Sequence, residues 1–236
     1  MDVAIEIAVA KTHKYASRES GDTVEVVERP GGGLTLVMVD GQGSGRGARD
    51  ISQMLVSRAL GLIKDGVRDG VVARSLNDVL FAQRHGKVSA ALDLVSVDLL
   101  AGEVVVTRQG SAGAVVRHGD WSEAIAGEAA PLGRYARTRP DIAQYPLEAG
   151  LTVVVVSDGI SGSGRKAGHA PFELESFLID IDPDAETQAV ADAVLDAART
   201  RDGGLPGDDS TVGVVRLVPL PDPDSVRRMS VRLPIV

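Results

Sequence analysis

Three short aspartate motifs, each at one end of a strand-like apolar run, constrain this chain more than anything else in it. They are Val39-Asp40-Gly41, Ser157-Asp158-Gly159 and Gly207-Asp208-Asp209-Ser210-Thr211. The first follows Leu34-Thr35-Leu36-Val37-Met38-Val39 and the second follows Leu151-Thr152-Val153-Val154-Val155-Val156, while the third opens Thr211-Val212-Gly213-Val214-Val215. Runs this apolar, without polar alternation, are strands buried on both faces. An ionised carboxylate at the rim of such a strand costs free energy unless something positive meets it. No lysine or arginine alternates among the motifs, so the trio points to bound divalent cations. Singly, each Asp-Gly is a common turn dipeptide. The ordered recurrence is what turns punctuation into a candidate site.

Composition narrows the possibilities. With 236 residues, 44% hydrophobic and 25% charged, the chain has the balance of a globular domain large enough to bury a sizeable core. It carries no cysteine, which removes disulfides, thiolate chemistry and sulfur-based zinc sites. No apolar run approaches the ~20 residues of a membrane span. Met1-Asp2-Val3-Ala4-Ile5-Glu6 lacks the basic start and apolar centre of a signal peptide, so a cytoplasmic enzyme with no membrane partner is expected. A formal charge of −8 and only 3% aromatic residues argue against nucleic acid, which calls for clustered cations or stacking platforms.

Along the chain, residues 3–9, 23–27 and 34–39 read as strands, the last two flanking a Pro30-Gly31-Gly32-Gly33 turn with the grammar of a hairpin. After the glycine-rich loop 41–47, Ile51, Met54, Leu55, Ala59, Leu62 and Ile63 mark one face of a helix. Val72, Leu76, Val79 and Leu80 mark a second, so 48–84 is a helical hairpin. Strands return as a meander over 91–117, closed by His118-Gly119-Asp120, and 121–150 is expected to be irregular. A late helix is predicted with Asp182 as its N-cap and Pro183 in its first turn. A last strand over 211–218 is broken by 219–224, ahead of a short tail, 229–236. Paired helices between strand runs do not make βαβ alternation. The expected fold is therefore α+β: one domain, 1–236, with a central antiparallel β-sandwich of two sheets flanked by helices.

Two nucleotide-binding readings compete for the glycine loop. Gly43-Ser44-Gly45-Arg46-Gly47-Ala48 fits the dinucleotide fingerprint between a strand and a helix. A second helix follows where that fold needs a parallel strand, and Asp40 is left without a role. No Gly-Lys-Ser/Thr follows, so a phosphate-binding P-loop is excluded. In the metal reading, the glycines let a main-chain carbonyl beside Asp40 face an ion. An all-oxygen donor set suits Mg²⁺ or Mn²⁺. Two such ions about 3.5–4 Å apart can activate water and stabilise phosphoryl oxygens together, which is the chemistry of phosphate-ester hydrolysis.

Ser20-Gly21-Asp22, Asp40-Gly41-Gln42-Gly43-Ser44-Gly45, Leu92-Asp93-Leu94-Val95-Ser96-Val97-Asp98-Leu99, Pro131-Leu132-Gly133, Ser157-Asp158-Gly159, Arg199-Thr200-Arg201-Asp202-Gly203 and Asp208-Asp209-Ser210-Thr211 occur in that order. In this, nearly end to end, the chain resembles the catalytic domain of the bacterial sporulation stage II E-type serine phosphatases, a branch of the metal-dependent protein phosphatase 2C superfamily. The resemblance implies a protein phosphatase 2C-like fold with a dinuclear Mn²⁺ or Mg²⁺ site at one end of the sandwich. Carried over by position, Asp40 bridges two ions, the Gly41 carbonyl binds one, Asp158 and Asp208 hold the second, and Asp22 stands beside the first. Asp40, Asp158 and Asp208 then act through water activated by the metals. Gln42 and Ser210 depart from the family's usual residues at positions that supply no ligand. The phosphate-gripping arginine of eukaryotic relatives has no match at its spacing, Arg18 being the nearest. Asp209 stands as either an alternative ligand or an acceptor behind the ligands, and the four histidines are expected to be structural.

The resemblance implies a serine/threonine phosphatase acting on a phosphoserine protein of bacterial regulation, such as an anti-sigma-factor antagonist, with the helical hairpin as a regulatory element. A catalytically silent binding module and a small-molecule phosphatase are the alternatives. The presence of every expected carboxylate argues against the first of these.

Overall fold

Strands that are apolar on both faces must be covered on both faces, and the computed structural model shows how this chain does it. It describes residues 3–110, 112–119, 121–220 and 226–232. The expected features at Asp120, at 221–224 and at the end of the tail, 233–236, lie outside the described residues. One sheet runs β1 (Val3–Thr12), β10 (Ser210–Pro219), β9 (Leu151–Val156), β6 (Ala114–His118), β7 (Trp121–Ala124). The other runs β2 (Asp22–Glu28), β3 (Gly33–Gly41), β4 (Ala90–Asp98), β5 (Glu103–Gln109), β8 (Asp141–Pro146). Every pairing is antiparallel.

Side-chain alternation sorts the core into three apolar layers. On β3, Leu36 and Met38 point between the sheets while Val37 and Val39 point outward to the helices. On β9 and β10, Val153, Val155, Val215 and Leu217 face inward, and Val154, Val156, Val212 and Val214 face outward. Helices α1 (Arg46–Lys64) and α2 (Asp69–Arg84) cover the second sheet through Leu55, Ala59, Ile63, Val72, Leu76 and Leu80. The first sheet is covered by α4 (Leu174–Ile179) and α5 (Thr187–Arg201). The sandwich flanked by helices is thus as expected. Among the described residues no helix is long and apolar enough to cross a membrane.

Three local readings need correction. Residues 91–117 do not form a meander: β5 pairs with β8, and the chain crosses to the other sheet before β6. The region 121–150 is not irregular, since it supplies the edge strands β7 and β8. Edge strands half-exposed to solvent carry a weak apolar signal in the sequence. The late helix starts at Thr187, not at Asp182. Asp182 instead accepts the Asp184 amide in a turn, at 2.9 Å, and the short α4 precedes it.

Two features fix the relation of the layers. Arg108 and Asp93 are buried cross-strand partners in the inter-sheet layer, joined Nε to Oδ1 at 2.7 Å. Arg108 also donates to the carbonyls of Ile125, at 2.7 Å, and Ala112, so the pair is tied across the chain crossing between the sheets. The far end of the hairpin is held by Arg29, whose Nη1 donates to Asp69 Oδ1 at 2.9 Å and to Thr35 and Ser96 at 3.0 Å each. The Pro131-Leu132-Gly133 motif is part of the same support: Leu132 pairs with Ala90, and the Gly133 amide donates to Asn77 of α2 at 2.9 Å.

Across the inter-sheet layer, Leu36 of β3 lies over Gly213 of β10. A Cβ at position 213 would stand 2.6 Å from Leu36 Cδ2 and 3.2 Å from Val155 Cγ2. Gly213→Ala is expected to destabilise by about 1–3 kcal/mol through overpacking. Leu36→Ala alone should cost about 2–5 kcal/mol. The double variant should cost less than the sum, because the shortened Leu36 vacates the space the methyl enters. Urea denaturation of the four proteins reads the coupling, and strict additivity would show that the two residues do not share that space.

Candidate active site

The carboxylates meet because of strand register. Asp22, the first residue of β2, lies directly opposite Asp40 near the end of β3. Asp158 opens the short helix α3 (Asp158–Ser161) straight after β9, and Asp208 and Asp209 precede β10, the neighbour of β9. The same end of the sandwich therefore gathers residues 22 and 40 from one sheet and 158, 208 and 209 from the other. Sequence positions nearly two hundred residues apart become neighbours.

Close backbone packing holds them there. A Cβ on Gly41 would fall 2.3 Å from the Ala48 carbonyl oxygen, and one on Gly21 would fall 2.7 Å from Ala48 Cβ. The first turn of α1 rests directly on these two glycines, so the helical hairpin begins against the backbone that carries Asp22 and Asp40. A Cβ on Gly159 would fall 2.0 Å from the Asp209 carbonyl oxygen, which explains the glycine after Asp158. Gln42 fastens the glycine loop to the start of β4: its Oε1 accepts the Ser89 amide at 2.9 Å, and its own amide donates to the Ser89 carbonyl at 3.1 Å.

Asp22 is buried, and its Oδ2 accepts the Thr211 hydroxyl at 2.5 Å, a bond that joins the two sheets. Its Oδ1 is buried with no hydrogen-bond partner. Asp209 differs: Oδ1 accepts the Lys14 amide at 2.8 Å and Oδ2 the Gly21 amide at 2.7 Å. Both its oxygens are occupied in closing the loop 13–21, which sets it apart from its neighbours. Asp208 is half-exposed, takes the Asp209 amide at 3.0 Å, and has Lys14 Nζ 3.6 Å from its Oδ1. Ser157 braces the opposite strand, its Oγ accepting the Thr211 amide at 2.9 Å. Thr211 and Ser157 were not singled out from sequence, although both stand inside the motifs that were. Arg18 is exposed in loop 13–21. His85 ends α2 and His118 faces the Ala149 carbonyl, both structural positions.

The electrostatics are those of crowded, under-compensated anions. Burial, then the neighbouring charges of Asp22 and Asp158, push the Asp40 carboxyl up to about 9, while the Asp158 amide opposes the shift. Asp158 is exposed as a residue, but burial of its carboxyl and then the charge of Asp208 also raise it. Asp22 is raised by burial despite the hydroxyls of Thr211 and Ser157. Among the described residues no three such side chains converge tightly enough to hold an ion as they stand; the acids are adjacent in pairs. Mutual repulsion spreads such groups until a cation or a proton offsets it. The donor set fits a hard divalent cation: oxygen throughout, with an orphaned Asp22 Oδ1 and carboxyls that resist ionising without a positive partner.

This architecture is that of the protein phosphatase 2C-like phosphatases. The chain superposes on the phosphatase domain of SpoIIE from Bacillus subtilis, solved with a fragment of its regulatory domain, with a TM-score of 0.79 and 22% identity over 90% of this chain and 63% of that one. The same domain in a crystal form without domain swapping gives a TM-score of 0.71 and 20% identity over 99% of both chains. RsbX in complex with magnesium gives a TM-score of 0.69 and 14% identity over 90% of this chain and 95% of that one. Residues 30–218 match the family model of stage II sporulation protein E, and the chain belongs to that family. It is 22% identical over 214 residues to stage II sporulation protein E of Bacillus subtilis strain 168, covering 90% of this chain and 26% of that protein. It therefore spans about a quarter of that relative's length.

The raised acids give the metal-free protein a defined pH response. With Asp40 lifted from an ordinary 3.8 to about 9, the folded state keeps a proton that the unfolded chain gives up. Its stabilisation is complete below about pH 4 and is lost progressively as pH rises toward 9. In the presence of chelator, Tm should fall between pH 5 and pH 8, and Asp40→Asn should flatten that slope. An Asn variant with the wild-type slope would mean that Asp40 is not the group responsible.

Proposed function

We propose that the chain is a metal-dependent protein serine/threonine phosphatase domain, a hydrolase of phosphoserine or phosphothreonine esters. The observation that carries this reading is the rim cluster of Asp22, Asp40, Asp158 and Asp208, drawn from both sheets of a fold shared with serine phosphatases. Asp40 and the Gly41 carbonyl, Asp22, Asp158 and Asp208 would hold two divalent ions, Mn²⁺ or Mg²⁺; the magnesium complex of RsbX supports ions of this kind. Such ions, when bound, supply an activated water and Lewis-acid polarisation of a phosphoryl oxygen.

The chain's own residues do the rest. Asp40, neighboured by both Asp22 and Asp158, keeps its proton most readily of the acids that would hold the ions. Thr211 and Ser157 orient Asp22 from the opposite sheet, and Asp209 closes loop 13–21 beside Asp208 without spending an oxygen on a ligand. Ala48, seated on Gly21 and Gly41, makes the start of α1 part of the site's framework. Movement of the hairpin would shift Asp40 relative to Asp158, consistent with a regulatory role for it. The substrate class is a phosphoserine protein of bacterial regulation in the cytoplasm, and an anti-sigma-factor antagonist is the first to try.

Hydrolysis of p-nitrophenyl phosphate with Mn²⁺, with Mg²⁺ and with chelator tests the reading, alongside a panel of phosphoserine proteins. Asp40→Asn and Asp158→Asn should each lower Mn²⁺-dependent kcat/KM by about 10²-fold or more, the scale of removing one strong electrostatic contributor. Saturating Mn²⁺ should raise wild-type Tm, because binding to the folded state alone stabilises it by about 2.7 kcal/mol at 100 times Kd. Near-normal turnover by Asp40→Asn, or no Tm shift at millimolar metal, would overturn the assignment.

A further inference from the structure

The cleft beside the carboxylate cluster has its own construction. It encloses about 320 Å³ between loop 13–21 and the turn Arg165–Ala167, and is lined by Lys14, Tyr15, Lys166, Leu205, Pro206 and Asp202, among others. Its floor is rigidly tied. Asp202 accepts the Gly164 amide through Oδ1 at 2.7 Å and the Gly207 amide through Oδ2 at 2.8 Å, so one carboxylate clips both walls together. The Tyr15 amide donates to the Pro206 carbonyl at 2.9 Å, and Lys166 Nζ to the Gly207 carbonyl at 3.2 Å.

Its chemistry is specific. On a chain of formal charge −8, two lysines converge on this cleft from different loops. The one carboxylate in the lining has both oxygens taken up by backbone amides. Lys14 stands 3.6 Å from Asp208 and Lys166 reaches the carbonyl of Gly207, the residue before that aspartate, while the exposed Tyr15 and Leu205 (62% and 55% exposed) provide apolar surface. A volume of this size holds a few side chains. An extended segment whose phosphoserine reaches the carboxylate cluster would lay its next residues here.

We propose that this cleft is a specificity subsite for acidic residues flanking the phosphorylated serine, with Lys166 pairing with the flanking carboxylate and Lys14 positioning the chain at the mouth of the metal site. The inference rests on the phosphatase reading above and goes further, because it selects among phosphoproteins by charge. Lys166 is a specificity residue and takes no part in bond breaking. Lys166 has no carboxylate partner within ion-pair distance among the described residues, so its charge is available to a carboxylate brought by the substrate.

The test uses the full chain with Mn²⁺ and three phosphoserine peptides that differ only in acidic, neutral or basic flanking residues, with p-nitrophenyl phosphate as a substrate too small to fill the cleft. Wild type should favour the acidic over the basic peptide by about tenfold in kcat/KM, chiefly through KM. Lys166→Glu should erase or reverse that order, and Lys166→Gln should give an intermediate preference. Both variants should turn over p-nitrophenyl phosphate within about twofold of wild type. Equal kcat/KM for the three peptides in wild type would overturn the proposal, as would an unchanged preference in Lys166→Glu. An equal loss on the small substrate would overturn it too. If no metal supports hydrolysis of any substrate, the phosphatase reading fails on its own. Fluorescence anisotropy then decides the cleft by whether the acidic peptide binds wild type more tightly than Lys166→Glu.

Discussion

Carboxyl groups held face to face at one end of the sandwich are the constraint to which the rest of the structure answers. Register places Asp22 opposite Asp40 on adjacent strands, and β9 and β10 bring Asp158 and Asp208 up from the other sheet. No arrangement of the apolar layers would favour this by itself, since burial raises the cost of each ionised carboxyl. Close backbone packing at the neighbouring glycines holds the strand ends that carry the carboxyls in place. Ala48 presses on Gly21 and Gly41, and Gly159 presses on the Asp209 carbonyl.

A division of labour among the acids follows. Asp209 spends both oxygens on the amides of Lys14 and Gly21, and Asp202 does the same with Gly164 and Gly207. These two build the loops around the site. Asp22 and Asp40 keep acceptor capacity and carry raised pKa values, the condition of groups that gain most from a cation. Asp93 forms a third class, neutralised by Arg108 inside the inter-sheet layer. Five buried or half-buried aspartates thus fall into three roles, distinguished by what donates to each.

The hairpin and the site share a boundary. The helix α1 begins on the glycines of the cluster, and α2 is latched at the far end by Arg29 through Asp69, Thr35 and Ser96. Asn77 and Leu132 fix its middle to β4 and to the Pro131-Leu132-Gly133 segment. The hairpin is anchored by polar contacts at points along a mainly apolar face.

What the sequence by itself determined was set by local pattern. Continuous apolar runs at 34–39, 151–156 and 211–215 required cover on both faces, and helical spacing over 48–84 supplied part of that cover. The aspartate motifs at their ends located the candidate residues and, through their order, the family. Tertiary structure alone decided which strands pair: β5 turns to β8 while β6 joins β9, and the weak edge strands β7 and β8 are held by neighbours rather than by their own residues. It also separated Asp209 from Asp208, which are identical in chemistry and adjacent in sequence, because only folding brings the amides of Lys14 and Gly21 to one of them. The cleft of Lys14 and Lys166 was invisible for the same reason. Its walls come from residues some hundred and fifty positions apart, and charge complementarity across such a distance has no trace in a linear pattern.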